Sequence, residues 1–288
     1  MIPTQFDYRA PATLDEAVAL LASDLDGAKV LAGGHSLIPA MKLRLAQPQL
    51  LVDIARIKSL AYIREEGDQI LIGATTTHYQ LESSDLLKNI CPLLPDCAQS
   101  IGDVQVRNKG TIGGSIAHSD PAGDWPAAVL ALDADLVLVG TNGERVVKAE
   151  NFFVDLLTTD LQPGEILREI RIKKPVGRFG QAYQKVPHPA SGFAVVGVAV
   201  NLNLNDDGSC KSVAIGVTGV GVKAFRATAV EAALAGTSLD DNALANAVTH
   251  VCDGVDPNAD LYASSDYRCH LAQVHTGRGI QAAKARVQ

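Results

Sequence analysis

The sequence predicts an α+β protein, and two observations carry that assignment. Strand pairs are joined locally by turn signals, the sharpest being Asn142-Gly143. In the C-terminal third, strands come first and helices follow, the order of an α+β unit and not of a βαβ repeat.

Taken in order, Thr13-Leu-Asp-Glu16 reads as a capping box that opens a helix with the apolar stripe Leu14, Ala17, Val18 and Leu21. Ala28–Leu31 is a short strand running into Ala32-Gly-Gly-His-Ser36, and Leu50–Ile54 is another. Tyr62–Arg64 and Gln69–Ile72 bracket Glu65-Glu-Gly-Asp68 as a hairpin. Thr77–Ile101 reads as mostly helical, interrupted by Pro92 and Pro95. A second glycine turn, Thr111–Ser115, precedes the apolar run Trp125–Leu132. Asp135–Val139 and Arg145–Val147 then form the Asn-Gly hairpin, and Ile166–Ile172 is one more strand. Both patterns stop at Lys174-Pro175-Val-Gly177, which places a domain boundary there: residues 1–176, then 177–288. Beyond it, Ala194–Leu204 and Ser212–Val217 flank the turn Asn205-Asp-Asp-Gly208. Helices follow at Arg226–Ala235, in a segment capped by Ser238, and from about Ser264 onward.

Composition narrows the function classes. Of 288 residues, 47% are hydrophobic and 20% charged, which predicts a folded chain. A formal charge of −7 with no basic block argues against a nucleic-acid surface. The N-terminus lacks the pattern of a signal peptide, and no apolar run approaches the roughly 20 residues a bilayer demands, so a cytoplasmic protein without a transmembrane segment is expected. Cys91, Cys97, Cys210, Cys252 and Cys269 are odd in number and scattered, and point to neither a disulfide framework nor a thiolate cluster. The histidines 35, 78, 118, 188, 250, 270 and 275 include no metal-binding helical pair, so no metal site is predicted. Gly-x-Ser-x-Gly is absent, and His118-Ser-Asp120 is too local for a catalytic triad.

The glycine turns carry the chemistry. In Lys29–Ile38 a strand runs into Gly33-Gly34, with Ser36 just after; paired glycines admit positive φ and let N–H groups close on an anion, with the Ser36 hydroxyl adding a donor. Taken alone, this is also the pattern of a plain turn. Thr111-Ile-Gly113-Gly114-Ser115 repeats the logic, and two such loops are what a pyrophosphate held from both sides requires. No Gly-x-Gly-x-x-Gly opens a βαβ unit, which sets aside a Rossmann site.

These loops, in this order and separation, resemble the FAD-binding medium subunit of aerobic-type carbon monoxide dehydrogenases, in the molybdenum hydroxylase (xanthine oxidase) family. The likeness extends through Leu37-Ile-Pro-Ala-Met-Lys-Leu-Arg44, Val104–Gly114 and Gly164-Glu-Ile-Leu-Arg-Glu-Ile170, and spans essentially the whole chain. The resemblance implies a two-subdomain FAD-binding domain of the vanillyl-alcohol-oxidase type, split near residues 56–60, followed by a smaller α+β C-terminal domain with an antiparallel sheet. It implies that Val30, Leu31, Ala32, Gly33, Gly34, His35, Ser36 and Leu37 wrap the pyrophosphate. Ile101 would lie against the flavin or ribityl chain, and Thr111, Gly113, Gly114 and Ser115 would supply opposing contacts. Asp124 would hydrogen-bond the adenosine end or ribityl hydroxyls, unless it is a plain surface aspartate. Leu167 would sit against the adenine or ring system. Lys185 would place a cation near the isoalloxazine, where it favours anionic reduced flavin, unless it is an ordinary exposed lysine. Many relatives carry Asn in place of Ser115. Close relatives have Gly-Asp-Tyr-Ala at Ala190-Ser-Gly-Phe-Ala194, so Phe193 keeps a ring at the flavin without the hydroxyl.

By the same resemblance, the chain passes electrons from molybdenum through [2Fe-2S] clusters to FAD and an external acceptor. Molybdopterin would sit on a large partner subunit and iron–sulfur clusters on a small one, the whole forming a dimer of heterotrimers. No residue of this chain would be catalytic beyond the redox chemistry of FAD. The alternative is a free-standing FAD-dependent oxidoreductase with its own organic substrate, for which His188 is the best acid or base. A binding or scaffold module without redox chemistry is the third reading.

Overall fold

The computed structural model describes residues 1–288. The chain enters through β1 (Asp7–Arg9) and α1 (Leu14–Ser23). The Thr13 hydroxyl accepts the Glu16 amide at 3.2 Å, capping α1. Glu16 in turn reaches the Ala12 amide, one residue before the position a closed capping box would use. The stripe Ala17, Val18 and Leu21 is buried, packing with Val52 and Ile54 in a small core. β2 (Ala28–Leu31), α2 (Leu37–Lys42) and β3 (Leu50–Asp53) complete this unit, whose sheet is parallel in the order β1-β3-β2.

The middle of the chain builds a larger antiparallel sheet. It starts with β4 (Ile63–Glu66) and β5 (Gln69–Gly73). Then come α3 (His78–Ser83), α4 (Asp85–Ile90), α5 (Leu93–Gln99), α6 (Val104–Arg107), α7 (Ile112–His118) and α8 (Asp124–Ala131). The prolines punctuate this run as their chemistry requires: Pro92 caps α5, and Pro95 lies in its first turn, where a missing N–H leaves no bond unmade. β6 (Asp135–Gly140) and β7 (Gly143–Lys148) form the Asn-Gly hairpin, with Gly143 at a φ of +98°. After α9 (Ala149–Phe152), a small ribbon of β8 (Phe153–Asp155) and β9 (Thr158–Thr159) leads to β10 (Ile166–Lys173). The five-stranded order is β4-β5-β10-β6-β7.

A third sheet follows from β11 (Arg178–Pro187), β12 (Ala194–Leu204), β13 (Cys210–Thr218) and β14 (Phe225–Arg226), all antiparallel and in chain order. The chain ends in α10 (Thr228–Leu234), α11 (Asp241–Ala247) and the long α12 (Ser265–Ala285), which Ser264 caps. One face of this sheet packs on the preceding domain: Tyr183, Ala199 and Ala224 share a core with Trp125, Leu93 and Leu94. The other face packs Val198, Val200 and Leu202 against Ala272, Ile280 and Ala283 of α12. Coverage of both faces explains why Ala194–Val200 is apolar without alternation.

Four local expectations are corrected. β11 carries no periodic signal, because its buried run Gly180-Gln181-Ala182-Tyr183 is small or polar and is packed from both sides. α11 is capped by Asp240, whose carboxylate accepts the Ala243 amide at 2.9 Å, while Ser238 merely donates to Asp240. Cys252 and Cys269 form a disulfide with Cα atoms 6.1 Å apart, leaving Cys91, Cys97 and Cys210 as buried thiols. Pairing across 17 residues depends on where α12 folds back, which spacing alone does not reveal. The second glycine turn opens a helix, as described below. No helix is long and apolar enough to cross a membrane.

Two glycines set how tightly the third sheet is clamped. A Cβ on Gly180 would collide with the Ala283 carbonyl of α12, and one on Gly216 with the Ala127 carbonyl of α8. Gly216→Ala should therefore force β13 and α8 apart and destabilise the protein by about 1–3 kcal/mol. Urea denaturation checks this; an unchanged midpoint would show that the clamp is not tight.

Candidate functional site

The first loop leaves β2 at Leu31 and enters α2 at Leu37. Gly34 has a φ of +75°, the left-handed region that side chains disfavour. The backbone N–H groups of Ala32, Gly33, Gly34, His35 and Ser36 donate to no acceptor in the protein. The Ser36 hydroxyl likewise makes no capping bond. The loop is half-buried, and the His35 ring folds back onto the Gly33 carbonyl at 2.9 Å. Val30, Leu31 and Leu37 flank it as half-buried apolar walls. Five consecutive donors without a protein acceptor, around a positive-φ glycine, leave backbone N–H groups available to an anion.

The second loop is built differently from the first. Thr111 is an N-cap, and Ile112, Gly113, Gly114 and Ser115 are the first turn of α7. Their N–H groups are already taken: Ile112 by Thr76 O at 3.0 Å, Gly113 by Ala74 O at 2.9 Å, Gly114 by the Thr111 hydroxyl at 3.2 Å, and Ser115 by Thr111 O at 3.1 Å. The glycines here serve close approach. A Cβ on Gly113 would collide with Ala74, and one on Gly110 would lie 2.6 Å from His78 Nε2. What this loop presents is an open Gly114 surface and the Ser115 hydroxyl, beside a buried Thr111.

The two loops meet. A Cβ on Gly33 would strike the Lys109 carbonyl and lie 2.7 Å from Gly110 Cα, and one on Gly114 would stand 3.9 Å from Ala32 Cβ. Beneath them His78 donates its amide to Gly110 O at 3.0 Å, and its Nδ1 accepts the Trp125 indole N–H at 3.0 Å. Burial, then the charges of His35 and Arg107, push the His78 pKa down to about 4, so the ring is a neutral strut. Neither His78 nor Trp125 stands out as a site residue in the sequence; that Trp125 is the only tryptophan was the available signal.

A second group gathers around the end of α5. Lys185 on β11 donates to Ser100 O and to Asp124 Oδ2, each at 2.9 Å, and the Tyr183 hydroxyl donates to Asp124 Oδ1 at 2.6 Å. Asp124 and Lys185 side chains are only 5% and 6% exposed, so neither is a surface charge. Ile101 follows Ser100 directly and is half-buried. Arg107, whose place in the motif concealed its role, donates to Ile101 O at 3.1 Å, Gly102 O at 3.2 Å and Glu82 at 2.7 Å, pinning this corner. Phe193 is 45% exposed on a loop whose Gly192 sits against Gly102. Leu167 is 4% exposed in the core behind α7, so it can offer a ligand little more than an edge. The structure thus gathers the predicted residues into a loop pair and a cation corner, joined by α7 and the segment 119–123, with Leu167 set back.

Comparisons with known proteins agree with this geometry. Residues 4–175 match the FAD binding domain in molybdopterin dehydrogenase, and residues 181–283 match the CO dehydrogenase flavoprotein C-terminal domain. The chain is 41% identical to the carbon monoxide dehydrogenase medium chain of Hydrogenophaga pseudoflava, covering 99% of each. It is 36% identical to the glyceraldehyde dehydrogenase medium chain of Sulfolobus acidocaldarius, over 98% of this chain and 99% of the relative. A solved carbon monoxide dehydrogenase from Hydrogenophaga pseudoflava, lacking the Mo-pyranopterin moiety of the molybdenum cofactor, superposes with a TM-score of 0.97 at 43% identity over the whole of both chains.

His78 has a measurable consequence. The unfolded chain takes up this proton near pH 6.5 and the folded chain only near 4, so stability falls as pH drops through the unfolded value. Between pH 7 and pH 5 the loss due to His78 should be about 2 kcal/mol. His78→Gln should lose that much less over the same interval in urea titrations; equal losses would mean the ring is not held neutral.

Proposed function

The chain belongs to the family of FAD-binding medium subunits of molybdenum hydroxylases, and on that footing we propose that it is the electron-transfer subunit of a carbon monoxide dehydrogenase-like heterotrimer. In this reading electrons leave a molybdenum centre on a large subunit, cross [2Fe-2S] clusters on a small subunit, and reach FAD on this chain before passing to an external acceptor. The names of the relatives support it, since medium chains from enzymes acting on different substrates align over their full lengths. The enzyme is an oxidoreductase, but substrate choice would lie on the molybdenum subunit. Two trimers would pair as a dimer.

The observation that carries the reading is the row of five unpaired N–H groups at residues 32–36, pressed against the second glycine loop. FAD fits this cradle. Its pyrophosphate needs several donors and no side chain in the way, and a Cβ at Gly33 would strike the Lys109 carbonyl. We assign the pyrophosphate to Ala32, Gly33, Gly34, His35 and Ser36, between the walls Val30, Leu31 and Leu37. Ser115 adds a hydroxyl donor from the other side; Thr111, Gly113 and Gly114 give that side its shape. Ile101 and Phe193 would flank the ring, Leu167 would back it, and Lys185 would hold a positive charge at its edge. When bound, FAD supplies a carrier that accepts electrons singly and in pairs. The chain's part is to orient it and hold charge beside it. The domain divide would fall at residues 176/177, where the sheet changes between β10 and β11, with the first domain split near 56–60.

The test is Gly34→Val, which puts a branched side chain at a φ of +75° and against Ile38. FAD retention should fall at least about tenfold while far-ultraviolet circular dichroism stays unchanged. A folded variant with wild-type FAD content would remove the loop from the site. A native protein that purifies alone, free of iron and molybdenum partners, would contradict the subunit assignment and favour a free-standing flavoenzyme.

A further inference from the structure

Residues 253–264 form neither helix nor strand, yet they are fastened at many points. Ordering such a segment costs backbone entropy at every residue, so the bonds that hold it must outweigh that cost. Its base is closed by the disulfide between Cys252 and Cys269, whose Cα atoms lie 6.1 Å apart. Asn258 ties its middle to the turn after β13: the backbone amide donates to Val220 O and the side-chain amide to Gly221 O, each at 2.7 Å. Asp260 accepts the Tyr262 amide at 2.9 Å and the Ala263 amide at 2.8 Å, and its other oxygen takes the Arg268 guanidinium at 2.6 Å. Arg268 is buried on α12 and donates also to Val195 O at 2.8 Å and Gly219 O at 2.7 Å. The segment is a strap fixed to the third sheet where β12 begins and β13 ends.

What the strap presents is the ring of Tyr262, stacked on His188 with centroids 4.7 Å apart and planes at 60°. His188 closes the loop that carries Phe193. Its amide donates to Phe193 O at 2.7 Å, its carbonyl accepts the Gly192 amide at 2.9 Å, and its ring Nδ1 accepts the Ala190 amide at 3.2 Å. Gly192, at a φ of +71°, rests against Gly102, next to Ile101. Resting on the flavin reading above, we propose that Tyr262 is a positioning residue for the flavin site. Through His188 it keeps the Phe193 loop seated on the Ile101–Gly102 turn, and so sets how much of the isoalloxazine is open to an external acceptor. His188 is then a spacer between strap and loop, with its ring face and one nitrogen already engaged. An aromatic pair that is partly exposed biases a loop by only about fivefold. The strap therefore trims access to the ring and leaves FAD retention to residues 32–36.

The experiment measures access to the flavin in the intact protein as isolated, with FAD stoichiometry determined alongside. The protein is reduced with dithionite and exposed to diphenyleneiodonium, which arylates reduced flavin, and the released flavin is followed by chromatography. Phe193→Ala and Tyr262→Ala should both retain FAD and both speed arylation, Tyr262→Ala by about fivefold. Tyr262→Phe, which keeps the ring, should react at the wild-type rate. The double variant should be no faster than Phe193→Ala alone, because both changes act through one loop. An unchanged rate in Tyr262→Ala or in Phe193→Ala overturns the proposal, as do multiplying effects in the double variant or a Tyr262→Phe protein as fast as Tyr262→Ala. Loss of FAD from Tyr262→Ala overturns it as well, since the strap would then be part of the binding site. Should Tyr262→Ala not fold, Asn258→Ala, which frees the strap from Gly221, decides: faster arylation supports the proposal, and an unchanged rate overturns it. A wild-type protein that holds no FAD refutes the flavin reading instead.

Discussion

Five consecutive backbone N–H groups without a protein acceptor, at residues 32–36, are the constraint on which the site depends. Backbone donors are almost always paired, and a buried one left unpaired costs about 1–3 kcal/mol. The loop tolerates this because it is only half-buried and open to water or ligand. Its shape rests on two different properties of glycine. Gly34 supplies a φ that other residues resist, whereas Gly33 supplies the missing side chain that lets the Lys109–Gly110 backbone come close. A side chain at Gly33 would separate the loops even if its own backbone were unstrained.

Around that contact the rest of the structure acts as support. The second loop spends its amides on Ala74, Thr76 and its own Thr111, so it is a rigid wall and not a second nest. His78 and Trp125 brace it from below with an uncharged hydrogen bond. The C-terminal sheet supplies what the first domain lacks: because one of its faces is seated on α5 and α8, Lys185 and Tyr183 reach into the neighbouring domain and meet Asp124. The two domains therefore share a core and a buried ion pair, and each completes the other.

Much of this was legible in the sequence wherever the signal was local. Ala28–Leu31, the Asn142-Gly143 hairpin and the helix after Ser264 follow from turn chemistry and capping, which depend on adjacent residues alone. The glycine loops were visible as a pair. Their different construction was not, because the partners that occupy the Ile112 and Gly113 amides lie about forty residues upstream. β11 was missed for a related reason: Gly180 and Gln181 answer to the backbone of α12 and to Leu93, contacts that leave no apolar alternation. Asp124 and Lys185 were picked out by family likeness, while their bond to each other came from the packing of one domain on the next.

In the proposed function the amides of residues 32–36 hold the dinucleotide. Hydrogen–deuterium exchange on FAD-loaded and FAD-stripped protein tests it most directly. FAD should strongly slow exchange in the peptide spanning these residues, with little change in residues 112–115, whose amides are already bonded. Unchanged exchange at 32–36, with protection elsewhere, would contradict it.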